Sequence, residues 1–469
     1  MDVSVVGATG DIGRQICTQL IAGGLLTHTS RLQLVGRADG SSAATVHGLR
    51  ADLIDAFDER TPLLDVALAP QDVVADVVVL AAGRTAPAEV GANTDRTALA
   101  EGNRAVFEQY ADALAAHGSG REVVIVVSNP VELGVAVLAE RLGRHRVIGM
   151  GAWLDSLRFQ REIALSLGVR RHRVEGYVGG QHGEKAVPLW STVRIAGLSR
   201  SERAAAVARL RQERTLGTFF DEVADARRQL ETASADHVGE AFTLVDSFPP
   251  DVRTVTRSFM THTSGAKTAT GTAAATVDLV ETLLDGRQIV VAGQVALSQE
   301  VLGDDGEPLP GRVLGVPVIL GPDGWTRVIL DPLPDDEARA LAESGRAIDR
   351  MLDALDIPDT RVAARRVAAR RDGGAGRERS APTGEGRAGD PPARYDVEVE
   401  VTDASDPGVV ATLTGVFADR GVVVDAVATN PRGSVGISFR ASERLARSLV
   451  RTLERLAMAR KVVAHRAES

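Results

Sequence analysis

The sequence predicts an α/β protein with three parts: a Rossmann-type doubly wound parallel sheet, an α+β lobe, and a small ferredoxin-like α+β domain at the C-terminus. Three observations predict it. Short β-branched runs alternate with amphipathic stretches up to about residue 150; a segment nearly devoid of apolar side chains splits the chain at 372–394; and strands and helices resume after it.

The first runs are Val3–Val6, Leu32–Val35, Val77–Leu80, Val123–Val127 and Arg146–Ile148. They are short and almost continuously apolar, the pattern of parallel strands covered by helices on both faces. From 151 to about 355 the pattern is mixed, with helices expected near 153–167, 199–230, 271–284 and 334–355. Strands are expected near 173–179, 287–297 and 312–330. The segment 372–394 is rich in Gly, Pro and charge, so it cannot bury enough surface to offset its ordering entropy. It reads as a flexible linker. Beyond it come Tyr395–Val401, Gly408–Arg420, Val422–Ala428, Ser434–Arg440, Ser442–Met458 and Lys461–Ala464, in the order strand, helix, strand, strand, helix, strand. The resulting division is 1–150, 151–358, a linker at 359–394 and a final domain at 395–469.

Composition narrows the function classes. The 469 residues are 44% hydrophobic, enough for ordinary cores, and the formal charge of -9 leaves no basic surface suited to nucleic acid. The one cysteine, Cys17, provides no disulfide or structural zinc framework and reads as an apolar filler in a reducing, cytoplasmic protein. The opening stretch Met1–Gly7 has neither the basic flank nor the long apolar run of a signal peptide or membrane anchor.

The first strand runs into Gly7-Ala8-Thr9-Gly10-Asp11-Ile12-Gly13, and a helix follows. Glycines at a strand-helix junction permit a tight turn and close approach of backbone to a pyrophosphate, whose charge meets the helix N-terminus. Gly7, Gly10, Asp11, Ile12 and Gly13 are therefore candidate dinucleotide contacts, although the spacing is GxxGxxG rather than GxGxxG. At the end of the second strand an NAD site usually carries an acid for the ribose hydroxyls. Here Gly36 and Arg37 leave space and a positive charge, so the cofactor is expected to be NAD or NADP with NADP preferred; Arg37 as a solvated loop residue is the plainer alternative.

Three separated segments carry polar groups suited to a reaction centre. Ser128-Asn129-Pro130 ends a strand at the carboxyl edge of the sheet. Asp155 and Arg158 are three residues apart, on one face of a helix. His182 stands among glycines at a strand end, in Gly180-Gln181-His182-Gly183-Glu184. Taken singly each has a plain reading: a turn residue, a surface ion pair, a structural histidine. Their order and company argue otherwise.

Together with Arg146-Val147-Ile148-Gly149-Met150-Gly151, Leu154–Phe159, Ala274–Asp278 and Gly315–Gly321, this set resembles the malate/lactate dehydrogenase family over roughly residues 1–355. The resemblance implies roles. Asp155 would accept a hydrogen bond from His182 and fix its tautomer, so that His182 moves the hydroxyl proton. Arg158 would hold the substrate carboxylate by a two-point contact, and Asn129 would bond the substrate. Val127 to Asn129 would lie along the nicotinamide ribose, and Asn103 would be a further cofactor contact. Arg96 would polarise the carbonyl from a mobile loop that closes over the substrate.

The chain departs from the family in places. The loop 82–96 is longer than in the relatives it resembles, and Arg84 is its candidate for binding a second carboxylate. This favours malate and oxaloacetate, with a lactate-type monocarboxylate as the alternative. The stretch 199–250 reads as an inserted helical element, Glu184 stands where the family more often has aspartate, and Thr268 is a candidate pocket-lining residue. The run Asp406–Thr429 resembles the start of an ACT domain, which implies an amino-acid effector; a ligand-free dimerisation domain is the plainer reading. A homo-oligomer is expected. Two other readings remain: an amino-acid-pathway enzyme of the homoserine dehydrogenase type, which the Asn129, Asp155, Arg158 and His182 set speaks against, and a catalytically silent NAD(P)-binding sensor.

Overall fold

Every residue of strand β1 (Val3–Val6) is buried, and it pairs in parallel with β2 (Arg31–Val35) on one side and β4 (Val77–Leu80) on the other. Such strands need apolar side chains on both faces, which explains the unbroken Val-Ser-Val-Val and Val-Val-Val-Leu runs. In this computed structural model the described residues are 1–84, 96–212, 214–266, 268–303 and 305–359, and from 393 to 467 all but 403, 405, 419–421, 431–432, 442–445, 447–448, 451–452, 454–455 and 457. Of the segment 359–394 read as linker, 360–392 lie outside them, while Ala393 and Arg394 already belong to the strand 393–401.

Parallel strands follow the order β3-β2-β1-β4-β5-β6, with β3 at Leu63–Ala67, β5 at Val123–Val126 and β6 at Val147–Gly149. Helices α1 (Asp11–Ala22), α2 (Ser42–Phe57), α3 (Arg96–His117) and α4 (Val131–Leu142) connect them. The order reverses between β1 and β4. Val6, Leu80 and Val126 stand level across β1, β4 and β5, so Gly7, Ala81 and Val127 emerge together at the crevice where open α/β sheets bind ligands.

After α5 (Gly151–Leu167) come β7 (Val174–Gly180), β8 (Ala186–Ile195), α6 (Arg200–Arg211), α7 (Phe219–Asp236), α8 (Val238–Val245), α9 (Pro250–Thr261) and α10 (Ala269–Asp285). The lobe closes with β9 (Ile289–Ala296), β10 (Val313–Gly321), β11 (Gly324–Val328) and α11 (Asp335–Ala354). The sheet runs on through this lobe: Gly149 of β6 pairs with Gln294 of β9, and β9, β10, β7 and β8 continue antiparallel, with β11 beside β10. One large apolar core spans the two lobes.

Several expected elements differ. The helix expected at 199–230 is two helices, because Gln212 turns left-handed at φ 53° and Arg214 is held by Glu222 and Asp251. Leu230, Ala241, Val245 and Met260 give α7, α8 and α9 a small core of their own. The strand expected at 312–330 is the hairpin β10–β11, turning through Gly324 at φ 105°. Strands β3 and β8 were not expected. β3 is an edge strand whose Leu63-Leu64-Asp65-Val66 run is only half-buried, and β8 holds Pro188 within an otherwise strand-like run.

In the C-terminal part, Tyr395, Val397, Val399 and Val401 are buried while Asp396, Glu398 and Glu400 between them are exposed, the period-two pattern of a strand with one covered face. Strands 424–430, 434–441, 393–401 and 459–466 lie side by side in that order, all neighbours antiparallel. The helix Pro407–Ala418 and buried Leu449 and Leu453 cover the sheet. No helix among the described residues is long and apolar enough to cross a membrane.

Candidate active site

The glycine turn after β1 divides its three glycines by function. Gly7 adopts φ 84°, and a Cβ there would lie 2.8 Å from the Ala81 carbonyl oxygen; a Cβ on Gly13 would lie 2.2 Å from that of Gly7. Both are demanded by packing. At Gly10 a Cβ would meet only the Gly7 oxygen at 3.5 Å, so the space above it is open. Gly10 is also the N-cap of α1 and supplies no side-chain bond to the first turn, where exposed Asp11 and half-buried Ile12 stand. The start of α1 faces this open space, where a helix N-terminus favours an anion, and the cradle fits a dinucleotide pyrophosphate.

At the end of β2 the expected space beside Gly36 is already filled: a Cβ would lie 3.1 Å from Ser42 Oγ and 3.3 Å from Val46 Cβ. The main-chain N–H of Arg37 donates to that hydroxyl at 2.9 Å, and the Arg37 side chain is 77% exposed with Asp39 at 3.6 Å. It stands in solvent at the crevice's edge.

Beyond β5, Val127 is buried and Ser128 donates to the Ala82 carbonyl at 2.7 Å, tying two neighbouring crevice loops together. Asn129 precedes a cis proline and leads into α4. Asn103, expected as a cofactor contact, is fully buried: its Nδ2 donates to the carbonyls of Asn129 at 2.6 Å and Arg84 at 3.0 Å, and its Oδ1 accepts from the Arg84 N–H at 2.6 Å. With its amide spent on main chain, Asn103 braces the Arg84 and Asn129 segments from behind.

Asp155, Arg158 and His182 come together as their segments suggested. α5 presents Asp155 and Arg158 one turn apart, and Arg158 Nη1 donates to Asp155 Oδ1 at 3.0 Å. His182 Nδ1 lies 2.7 Å from Asp155 Oδ2, and the Gly183 N–H also bonds Asp155. The ring lies close over the start of α5, where a Cβ on Gly151 would stand 2.5 Å from His182 Cγ. Burial by itself would push the Asp155 carboxyl up; the charge and hydrogen bond of His182, with Arg158, outweigh it and hold the group below its ordinary range. For Arg158, burial outweighs Asp155 and draws the pKa down from its usual value, yet a guanidinium remains cationic at neutral pH. The result is a buried anion joining an imidazole to a fixed cation. With Nδ1 directed at Asp155, Nε2 is the nitrogen suited to exchange a proton with a substrate, and Arg158 is suited to a carboxylate beside it.

Other candidates lie elsewhere. Arg84 is exposed and runs along α3, its Cδ 3.2 Å from where a Gly102 Cβ would be. Among the described residues no hydrogen bond or ion pair joins it to Asp155, Arg158 or His182. Arg96 opens α3, and its side chain, like the loop 85–95, lies outside the described residues. Thr268 caps α10 at φ 51°, and Glu184 pairs with Arg227 of α7. Sequence reasoning missed Glu132, whose Oε1 accepts the His182 main-chain N–H at 2.7 Å. The available signal was an acid in the otherwise apolar stretch Val-Glu-Leu-Gly-Val-Ala-Val-Leu. Among the described residues no cluster of His, Cys, Asp and Glu could hold a metal ion.

Comparison with known proteins matches residues 1–149 to the lactate/malate dehydrogenase NAD binding domain and residues 152–246 to the alpha/beta C-terminal domain of the same family. A malate dehydrogenase of Halobacterium salinarum is 28% identical over 358 residues, 75% of this chain and 99% of that protein. One from Methanococcus maripaludis is 29% identical over 205 residues, 42% of this chain and 62% of the relative's length. An L-lactate dehydrogenase of Latilactobacillus sakei is 27% identical over 71% of this chain and 91% of that protein. Among solved structures, the Cryptosporidium parvum lactate dehydrogenase, complexed with lactic acid and nicotinamide adenine dinucleotide, shares the fold at a TM-score of 0.57 and 22% identity, covering 76% of this chain and 98% of that one.

Proposed function

The chain belongs to the lactate/malate dehydrogenase family of oxidoreductases, and from that premise we propose that it interconverts a 2-hydroxy acid and its 2-oxo acid, malate and oxaloacetate being the first reading. The observation that carries the proposal is the Arg158–Asp155–His182 cluster at the crevice. The Gly7–Gly13 turn would hold a nicotinamide dinucleotide, which would supply the hydride acceptor. The remaining work belongs to the chain's own groups. Asp155 keeps the His182 ring in one orientation, so Nε2 takes the hydroxyl proton in oxidation and returns it in reduction. A substrate carboxylate meets the Arg158 fork in a two-point clamp, which aligns the reacting carbon. Asn129 hydrogen-bonds the substrate, Arg96 polarises the carbonyl as its loop closes, and Arg84 binds the second carboxylate.

Exposed Arg37 supports a preference for NADP, through a positive charge for a 2′-phosphate. The strand order of the C-terminal sheet supports reading 395–469 as a ferredoxin-like domain of the ACT type with an amino-acid effector. We read the whole as a cytoplasmic homo-oligomer. A monocarboxylate is the second reading, favoured by the placement of Arg84 along α3, apart from the cluster.

Hydride transfer measured with oxaloacetate, pyruvate and bulkier 2-oxo acids, each with NADH and NADPH, tests the proposal. Turnover highest with oxaloacetate and NADPH is expected. A strong pyruvate preference would overturn the role of Arg84, a preference for NADH that of Arg37, and silence across the panel the enzymatic reading itself.

A further inference from the structure

Glu132 is the second residue of α4, directly after the Asn129–Pro130 turn that carries the substrate- and nicotinamide-facing backbone. It is fully buried, in a helix whose other buried positions are all apolar or glycine, Val131, Leu133, Val135 and Leu138 among them. Burying a carboxyl group is unfavourable unless it is hydrogen-bonded, so an apolar residue would be the default at this position. The bond it makes is specific: Oε1 accepts the main-chain N–H of His182, 50 residues further along the chain, at 2.7 Å. Being in the first turn of α4, the group is also placed where the helix dipole favours negative charge.

This bond joins two pieces of chain that must keep their spacing. One is the carboxyl end of β5, where Val127 to Asn129 border the cofactor crevice. The other is the loop of His182, which leaves β7 at Gly180 (φ 81°) and turns again at Gly183 (φ 96°), so the histidine stands between two left-handed glycines just past the strand end. Asp155 holds the imidazole through Nδ1 and accepts from the Gly183 N–H, and Ser344 Oγ accepts from the Gln181 N–H at 2.8 Å. Glu132 holds the main chain at the histidine itself and ties it to α4.

We propose that Glu132 is a positioning residue, which sets the distance between the His182 proton carrier and the hydride-transfer ridge by anchoring the His182 main-chain N–H. The inference rests on the dehydrogenase reading of the site. It accounts for a buried acid that takes no direct part in the proton transfer. It also separates two functions among the acids of the site: Asp155 orients the ring, and Glu132 locates the residue that bears it. Because misplacement of reacting groups by about 1 Å costs about 10²-fold in rate, loss of this anchor should act on kcat rather than on binding.

The test compares Glu132→Ala, Glu132→Asp and Glu132→Gln in the full-length protein, with steady-state kinetics, NADH binding by fluorescence and thermal melting. Glu132→Ala is expected to lower kcat about 10²-fold while the Kd for NADH and the KM for the 2-oxo acid stay within about threefold. Glu132→Asp, one methylene too short, should lose kcat in the same way, and Glu132→Gln, which keeps an acceptor oxygen at the same reach, should restore kcat to within about fivefold of the parent. If the alanine variant does not fold, the Asp and Gln pair decides by the same kcat contrast. Variants that all keep kcat, or that lose kcat, NADH affinity and melting temperature together with no rescue by Gln, overturn the inference and leave the dehydrogenase reading intact. A parent protein silent toward every 2-oxo acid overturns that reading and this inference with it.

Discussion

Asp155 Oδ2 lies 2.7 Å from His182 Nδ1, across 27 residues of sequence, while the other oxygen of the same carboxylate holds Arg158. One anion therefore orients both the proton carrier and the cation expected to bind substrate. Its pKa is depressed because His182 and Arg158 outweigh burial, so the folded value lies below the unfolded one. Such a group stabilises the fold above its unfolded pKa and loses that contribution as pH falls through the folded value. Asp155→Asn is expected to lower the melting temperature at neutral pH, with the gap to the parent narrowing below about pH 4. A gap constant across the acid range contradicts the assignment.

Arg158 makes its protein contact through one nitrogen, which leaves the guanidinium fork able to engage a carboxylate. Charge-assisted bonds contribute roughly 1.5–3 kcal/mol each, so Arg158→Lys, which loses the planar fork, is expected to lower kcat/KM for the 2-oxo acid by about 10²-fold. The NADH Kd should be unchanged. A variant whose kcat/KM stays near the parent's would remove Arg158 from substrate binding.

The glycine turn separates folding from cofactor binding. Gly13→Ala forces a Cβ to within 2.2 Å of the Gly7 oxygen and is expected to lower the melting temperature as well as NADH affinity. Gly10→Ala meets nothing closer than 3.5 Å and should leave the melting temperature near the parent's while weakening NADH at least tenfold. Calorimetry and fluorescence titration on the two variants check this; equal affinity in Gly10→Ala and parent would mean that no pyrophosphate lies over that position.

Much of this was legible in the chain. The buried parallel strands announced themselves because both faces must be apolar, and the Asp155, Arg158 and His182 segments because their order and company resemble the malate/lactate dehydrogenase family. β3 escaped because an edge strand carries a weaker pattern, and the break near Gln212 because Arg- and Ala-rich helical spacing runs straight through a left-handed residue. Asn103 and Glu132 are a different matter. Each acts on main-chain groups far away in sequence, an N–H of His182 or the carbonyls of Arg84 and Asn129, so residue identity can mark the position, as the acid in the apolar run of α4 does, without naming its backbone partner.

The central claim is that His182 moves the proton. Single-turnover reduction of the preferred 2-oxo acid by prebound reduced cofactor, in parent and His182→Asn, tests it most directly. The account predicts a rate about 10²–10⁴-fold lower in the variant, with cofactor Kd unchanged. An undiminished rate would contradict it.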